Sequence, residues 1–140
     1  MDAINSVVYV PERELLRDCK LLRYVANILP SARRAFSGPP FEVALELMTR
    51  MEDVVEKAID PDTGLPYAKM ATSLKELDES LDQDGGSQIA FTHSVEGANS
   101  LGKNGSEIEN LERLFHRGVA TLTLAHFYDN GIAPPRISFS

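Results

Sequence analysis

Two stretches decide how this chain reads: Ile89-Ala90-Phe91-Thr92-His93-Ser94-Val95-Glu96-Gly97 and Ala120-Thr121-Leu122-Thr123-Leu124-Ala125-His126. Each runs from a β-rich apolar segment into a polar residue able to bind metal or move a proton, and one helical pattern lies between them. Strand, helix, strand is the building unit of parallel α/β sheets, whose reactive side chains sit at the C-terminal ends of the strands, where the loops open to solvent. Glu96 and His126 occupy those ends and are the candidate functional residues.

Upstream, Ser6-Val7-Val8-Tyr9-Val10 is β-branched and aromatic and stops at Pro11, which reads as a buried strand. Leu15, Leu16, Cys19, Leu22, Val25, Ala26 and Leu29 then recur at helical spacing and predict one amphipathic helix from about Glu12 to just before Pro30. After Ser37-Gly38-Pro39-Pro40, a second helix carries Phe41, Ala44, Leu45, Met48, Met51, Val54, Val55 and Ala58 on one side. Glu42, Glu46, Arg50, Asp53 and Glu56 lie largely on the other side.

Asp60-Pro61-Asp62-Thr63-Gly64 ends that helix as a turn. Gly64 stands where a calcium loop would need a ligand, and no closing Glu follows. Residues 67–71 suggest a brief extended segment. Ser73-Leu74-Lys75-Glu76 and Ser106-Glu107-Ile108-Glu109 both have capping-box form and open helices. The second of these is expected to turn Ile108, Leu111, Leu114 and Phe115 inward and to stop at Gly118, with a small polar loop from Gly97 to Gly105 before it. A strand from Val119 to His126 follows, with a short last strand at 137–139.

The chain has 140 residues, 43% hydrophobic and 25% charged, which fits one domain over residues 1–140 with a core of its own. Its net charge of −7 argues against a nucleic-acid partner, because phosphate binding needs clustered Lys and Arg. Arg33-Arg34 is the only adjacent basic pair. No apolar run approaches a membrane span, and the N-terminal stretch lacks the pattern of a secretory signal, so the sequence as given predicts a soluble, cytoplasmic chain. One cysteine, Cys19, excludes an internal disulfide and reads as a small core residue on a helix.

Other chemistries are weaker. His93 lies three residues from Glu96, so along an extended strand the two face opposite ways. His116, late in a helix between Arg113 and Arg117, reads as solvated. Gly97-Ala98-Asn99-Ser100-Leu101-Gly102-Lys103-Asn104 approaches a phosphate loop, but Asn104 offers no hydroxyl for magnesium and the helix signal at Ser106 comes too late for Lys103. No nucleophile elbow surrounds Cys19 or Ser94.

The stretch Phe91-Thr92-His93-Ser94-Val95-Glu96-Gly97-Ala98, followed by a helix and by Arg117-Gly118-Val119 through His126-Phe127 and Asp129-Asn130, resembles the membrane (renal) dipeptidase family of zinc metallopeptidases. Ser6 to Glu12 is similar to an early strand and loop of its bacterial branch. The resemblance implies a TIM-like barrel with two zinc ions that activate a bridging water for attack on a dipeptide. It makes Glu96 the carboxylate bridging the metals, and His126 a histidine that contacts substrate and helps stabilise the tetrahedral intermediate. Asn99 stands where many relatives have histidine.

The family's first-strand His-x-Asp pair has no counterpart here: Val95, Gly118 and Tyr128 lie two residues beyond His93, His116 and His126. The family's two further histidine ligands come from strands beyond this segment. One bridging carboxylate cannot hold two zinc ions, since each needs several ligands at about 2 Å. A complete barrel takes about 250 residues, and the elements above supply three or four strands. The expected fold is therefore α/β, a partial TIM-barrel of parallel βα repeats and an internal piece of a dipeptidase-like protein, inactive by itself and binding zinc weakly or not at all. Its open strand edges call for a complementary fragment or a second copy. The alternative is a noncatalytic α/β binding or assembly module.

Overall fold

The computed structural model describes residues 3–81, 88–103, 105–125 and 131–133. Strand β1 (Ala3–Tyr9) leads through three short helices, α1 (Arg13–Asp18), α2 (Lys20–Ile28) and α3 (Pro30–Ser37), into the long helix α4 (Pro40–Glu56). There follow β2 (Ala68–Met70), α5 (Leu74–Leu81), β3 (Ile89–Glu96), a 3-10 turn (Ala98–Leu101), α6 (Glu107–His116) and β4 (Val119–Thr123). Among the described residues the result is an open, four-stranded, all-parallel sheet with helices.

β3 is the centre. Along one edge it pairs with the whole of β1, from Ala3 opposite Ala90 to Tyr9 opposite Glu96. Its other edge is divided: β2 pairs with residues 89–91, and β4 pairs with residues 93–96. The two short strands thus lie end to end beside β3. They meet at Gly118, where a Cβ would come within 2.6 Å of the Thr72 Cα. Gly118 also has φ +87°, so it serves both as the left-handed stop of α6 and as the close approach between strands.

The two faces of the sheet differ as the period of two requires. Val8, Val10 and Val95 pack with Phe41, Val43, Ala44 and Met48 of α4, with Ala98 and Leu101 of the 3-10 turn, and with Leu114 of α6. A bulge beside His93 and Ser94 lets Val119 and Leu122, three apart on β4, both pack against this core. β1 is therefore buried on one face only, and Val7 is exposed on the other.

Several expectations are corrected. The single helix expected from about Glu12 is broken at Cys19, which is extended, whereas its end before Pro30 is as expected, with Leu29 extended. Leu29 precedes proline, whose ring disfavours the helical region for its neighbour, and Pro30 itself starts α3. The apolar spacing runs through Cys19 without a mark, and nothing in the local sequence accounts for that break. Cys19 is consequently a half-buried residue between helices and not a core residue of one. Val54, expected inside, is exposed, whereas Phe41, Ala44, Met48 and Val55 are buried as expected.

The loop after Gly97 is a buried 3-10 turn, because Asn99 donates from Nδ2 to the Val10 carbonyl at 2.8 Å and ties the turn to the end of β1. Ser73 caps α5 as expected, accepting from the Glu76 amide at 3.2 Å. Ser106 does not cap α6, since its hydroxyl oxygen accepts from the buried Asn110 amide instead. Of the four apolar residues expected inside α6, Leu114 alone is buried; Ile108 and Phe115 are 71% and 72% exposed. The reason is positional: α6 packs on β4 and on the 3-10 turn, and its outer flank has no neighbouring helix among the described residues.

Asp60 Oδ1 accepts from the amides of Asp62 and Thr63, which makes residues 60–64 the plain turn expected. β4 ends at Thr123, short of the strand expected to reach His126, since Leu124 and Ala125 have already left it; His126 and the expected strand at 137–139 lie outside the described residues.

Candidate functional site

The parallel register brings Tyr9, Glu96 and Thr123 side by side at the C-terminal ends of β1, β3 and β4. All three belong to the face turned away from α4. On that face Asn5 Oδ1 accepts from the Ser94 hydroxyl at 2.6 Å and from the Thr92 hydroxyl at 3.3 Å. The one Ser94 proton is used there, so Thr121 donates to Ser94 in the hydrogen bond their hydroxyls share. Three strands are thereby cross-linked by neutral polar side chains just below the rim.

At the rim, the Tyr9 hydroxyl donates to Glu12 Oε2 at 2.6 Å. Glu12 follows Pro11 in the turn that leaves β1 and is only 6% exposed. Burial, above all, together with the hydrogen bond and negative charge of Glu12 and the charge of Glu96, pushes the Tyr9 pKa upward. Tyr9 is therefore a fixed proton donor between two carboxylates across the whole neutral range. Gly97, with φ +88°, turns the chain sharply after Glu96, as its place in the sequence suggested.

A second polar cluster lies on the helix side. His93 is 1% exposed and faces α4, opposite to Glu96 as the spacing predicted. Its Nε2 lies 3.1 Å from Glu52 Oε1. Arg117 grips the same carboxylate twice, from Nε at 3.1 Å and from Nη2 at 2.6 Å, and also donates to the Thr49 hydroxyl at 2.6 Å.

The Arg117 guanidinium, foremost, holds the Glu52 pKa below the usual carboxylate range. Burial pushes the His93 pKa down, and Glu52 only partly opposes it. His93 is thus neutral with its proton on Nε2, and its buried Nδ1 has no partner among the described residues. This triad joins α4 to β3 and to the α6–β4 turn. It is a structural clamp, and a cleft of about 370 Å³ lined by Glu52, Val55, Glu56, Ala68 and Met70 runs beside it.

Of the predicted site residues, Glu96 stands at the rim and His126 lies outside the described residues. His116 is exposed on α6, its ring edge against Phe115. α6 begins at Glu107, four residues beyond Lys103, which agrees with the rejection of a phosphate loop. Tyr9 and Glu12 went unassigned in the sequence reading; an aromatic and an acid flanking the proline that ends a strand were the available signal.

The donor set was tested against a two-zinc centre. Among the described residues no group of three His, Cys, Asp or Glu is arranged to hold a metal ion. Glu12 is engaged by a phenol, and Glu96 is one carboxylate, so the described residues do not by themselves make such a centre. No helix among them is long and apolar enough to cross a membrane. No protein-family model, curated protein or solved structure matches the chain.

Proposed function

We propose that this chain is a sector of a dipeptidase-like α/β barrel, with Glu96 as its contribution to a zinc site and His126 as a substrate-contacting residue. In the parent family the reaction is hydrolysis of a dipeptide, for which zinc supplies an activated water. The observation that carries the reading is the register of Tyr9, Glu96 and Thr123 at one rim of three parallel strands, β1, β3 and β4, that are neighbours in space in chain order. β2 follows β1 in the chain but lies beyond β3 and not between β1 and β3, so the strand order departs from the strictly consecutive one of a barrel; in a barrel sector the inner face would be the one bearing Asn5, Ser94 and Thr121.

In that setting this chain's own groups have definite tasks. Glu96 brings a negative charge to the rim, and the Tyr9 hydroxyl, kept protonated, holds Glu12 in place beneath it. The remaining metal ligands must come from outside the described residues or from another chain. Zinc content and dipeptide hydrolysis measured on the pure chain test the reading. Turnover should be absent and zinc well below one ion per chain. Mixing with a fragment that carries the remaining strands of a family member should restore zinc-dependent turnover, and Glu96→Gln should abolish it.

Robust turnover by the chain alone would overturn the sector reading. Failure of every such mixture would favour the second one, a noncatalytic α/β assembly module.

A further inference from the structure

We infer that helix α2 is a docking site for the surface of an anionic lipid bilayer, with Leu21, Tyr24 and Ile28 entering the headgroup layer and Lys20, Arg23 and Arg33 meeting its negative charge. The inference goes beyond the proposed function and does not rest on it.

The apolar pattern of α2 is wider than its packing uses. The helix packs against α1 and α3, and in doing so buries Ala26 and half-buries Leu22 and Val25. Leu21, Tyr24 and Ile28 remain 70%, 65% and 57% exposed. At 3.6 residues per turn these three lie within about 60° of one another, a single stripe along the outer side of the helix. Leu29, the residue that ends α2, is exposed as well. Large side chains this open stand out from the surface as a ridge. A fluid bilayer closes around a ridge, whereas a folded protein would have to present a matching groove.

Charge selects the occupant. Residues 19–41 hold four of the chain's 14 Lys and Arg and none of its 21 Asp and Glu. Arg34 is held by Glu46 at 3.2 Å. Lys20, Arg23 and Arg33 are exposed and have no acidic partner among the described residues. Around the helix, Lys20 and Arg23 border the stripe on the side of Tyr24. In a chain of net charge −7, free cations beside bare apolar side chains are a local reversal of sign. A helix with an apolar arc bordered by Lys and Arg lies in the plane of a bilayer surface, its arc inserted and its cations level with the lipid phosphates. Tyrosine suits that depth, since its ring is apolar and its hydroxyl polar. The acids elsewhere on the chain are repelled by the same surface, so the charge distribution also orients the chain with α2 toward the lipid.

Cosedimentation of the whole chain with vesicles of equal parts phosphatidylglycerol and phosphatidylcholine, against vesicles of phosphatidylcholine alone, tests this. Binding to the mixed vesicles should be on the order of 100-fold tighter, as three basic residues at the surface imply, and should weaken as salt is raised. Leu21→Ser/Ile28→Ser and Lys20→Glu/Arg23→Glu should each weaken it at least about tenfold with unchanged circular dichroism, because apolar insertion and charge both contribute and all four side chains are exposed. Ile108→Ser/Phe115→Ser, an equally exposed apolar pair on α6, should leave binding as it is. The chain has no tryptophan, so Tyr24→Trp places a single indole in the stripe. Its emission should shift to the blue on the mixed vesicles and be quenched by brominated acyl chains. Absence of binding, equal binding to both kinds of vesicle, loss in the charge variant alone, or an indole that stays wet while the chain sediments would each overturn the proposal. So would self-association of the chain that is lost in Leu21→Ser/Ile28→Ser, which would give the stripe to a second copy.

Discussion

Gly118→Ala tests the arrangement on which the rim depends, namely β2 and β4 lying end to end along one edge of β3. The added methyl carbon would stand 2.6 Å from both Cα and Cβ of Thr72 and 2.9 Å from its carbonyl oxygen. Two of these are backbone atoms, which cannot rotate out of the way, so β4 must shift relative to β2. Overpacking of this kind costs about 1–3 kcal/mol. A non-glycine residue at φ +87° adds about 1–2 kcal/mol.

The sum is about 2–5 kcal/mol, a large share of the roughly 5–15 kcal/mol that stabilises a domain. At about 3–4 °C per kcal/mol for a chain of this size, the melting temperature should fall by about 6–20 °C. Gly64→Ala supplies the control, because Gly64 also has positive φ but nothing lies within 4 Å of the added carbon. It should show the conformational cost alone, a loss of about 1–2 kcal/mol. Urea and thermal unfolding followed by circular dichroism measure both variants. Equal losses for the two would mean that Thr72 and Gly118 do not touch, and the divided edge of β3 would have to be abandoned.

Glu52→Gln should destabilise the fold by about 2–3 kcal/mol in urea unfolding, less than for a fully buried pair because both Arg117 and Glu52 keep some solvent contact; a loss below 0.5 kcal/mol would remove the clamp from the account. Stability should also depend on pH through His93. Its pKa is lowered in the fold, so its contribution is complete above about pH 6.5 and is lost as pH falls, where the unfolded chain takes up a proton that the buried ring resists. Urea midpoints at pH 7.5 and 5.5 should differ less in His93→Gln than in the parent chain, and an unchanged difference would exclude His93 as the source.

The parts of the fold that could be read from the sequence are those whose signal is local. The β-branched run at the end of β1, the β-rich apolar segment of β3, the Asp60 turn and the stop at Gly118 each follow from residues next to one another. The opposed orientations of His93 and Glu96 followed from counting three residues along an extended chain. What escaped depends on distant partners. Nothing in the local sequence marks Glu52, and only the folded chain brings it to His93 and Arg117, 41 and 65 residues away. α6 misled for the opposite reason: its apolar stripe is real, but the described part of the domain supplies nothing to cover it.

An open parallel sheet is usually precarious because both faces expect helices. Here the uncovered face is made tolerable by chemistry. Asn5, Thr92, Ser94 and Thr121 satisfy one another across β1, β3 and β4, so their polar atoms do not need a second layer. Val7 is the apolar exception among them. The same choice of residues leaves a polar floor beneath Tyr9, Glu12 and Glu96, where a small polar ligand could approach without displacing a core. The edges differ: among the described residues no strand pairs with the outer side of β4. The rim and the core thus belong to different faces of the sheet, so Tyr9→Phe, which removes the hydroxyl that donates to Glu12, should leave the packing of Val8, Val95 and Met48 unchanged.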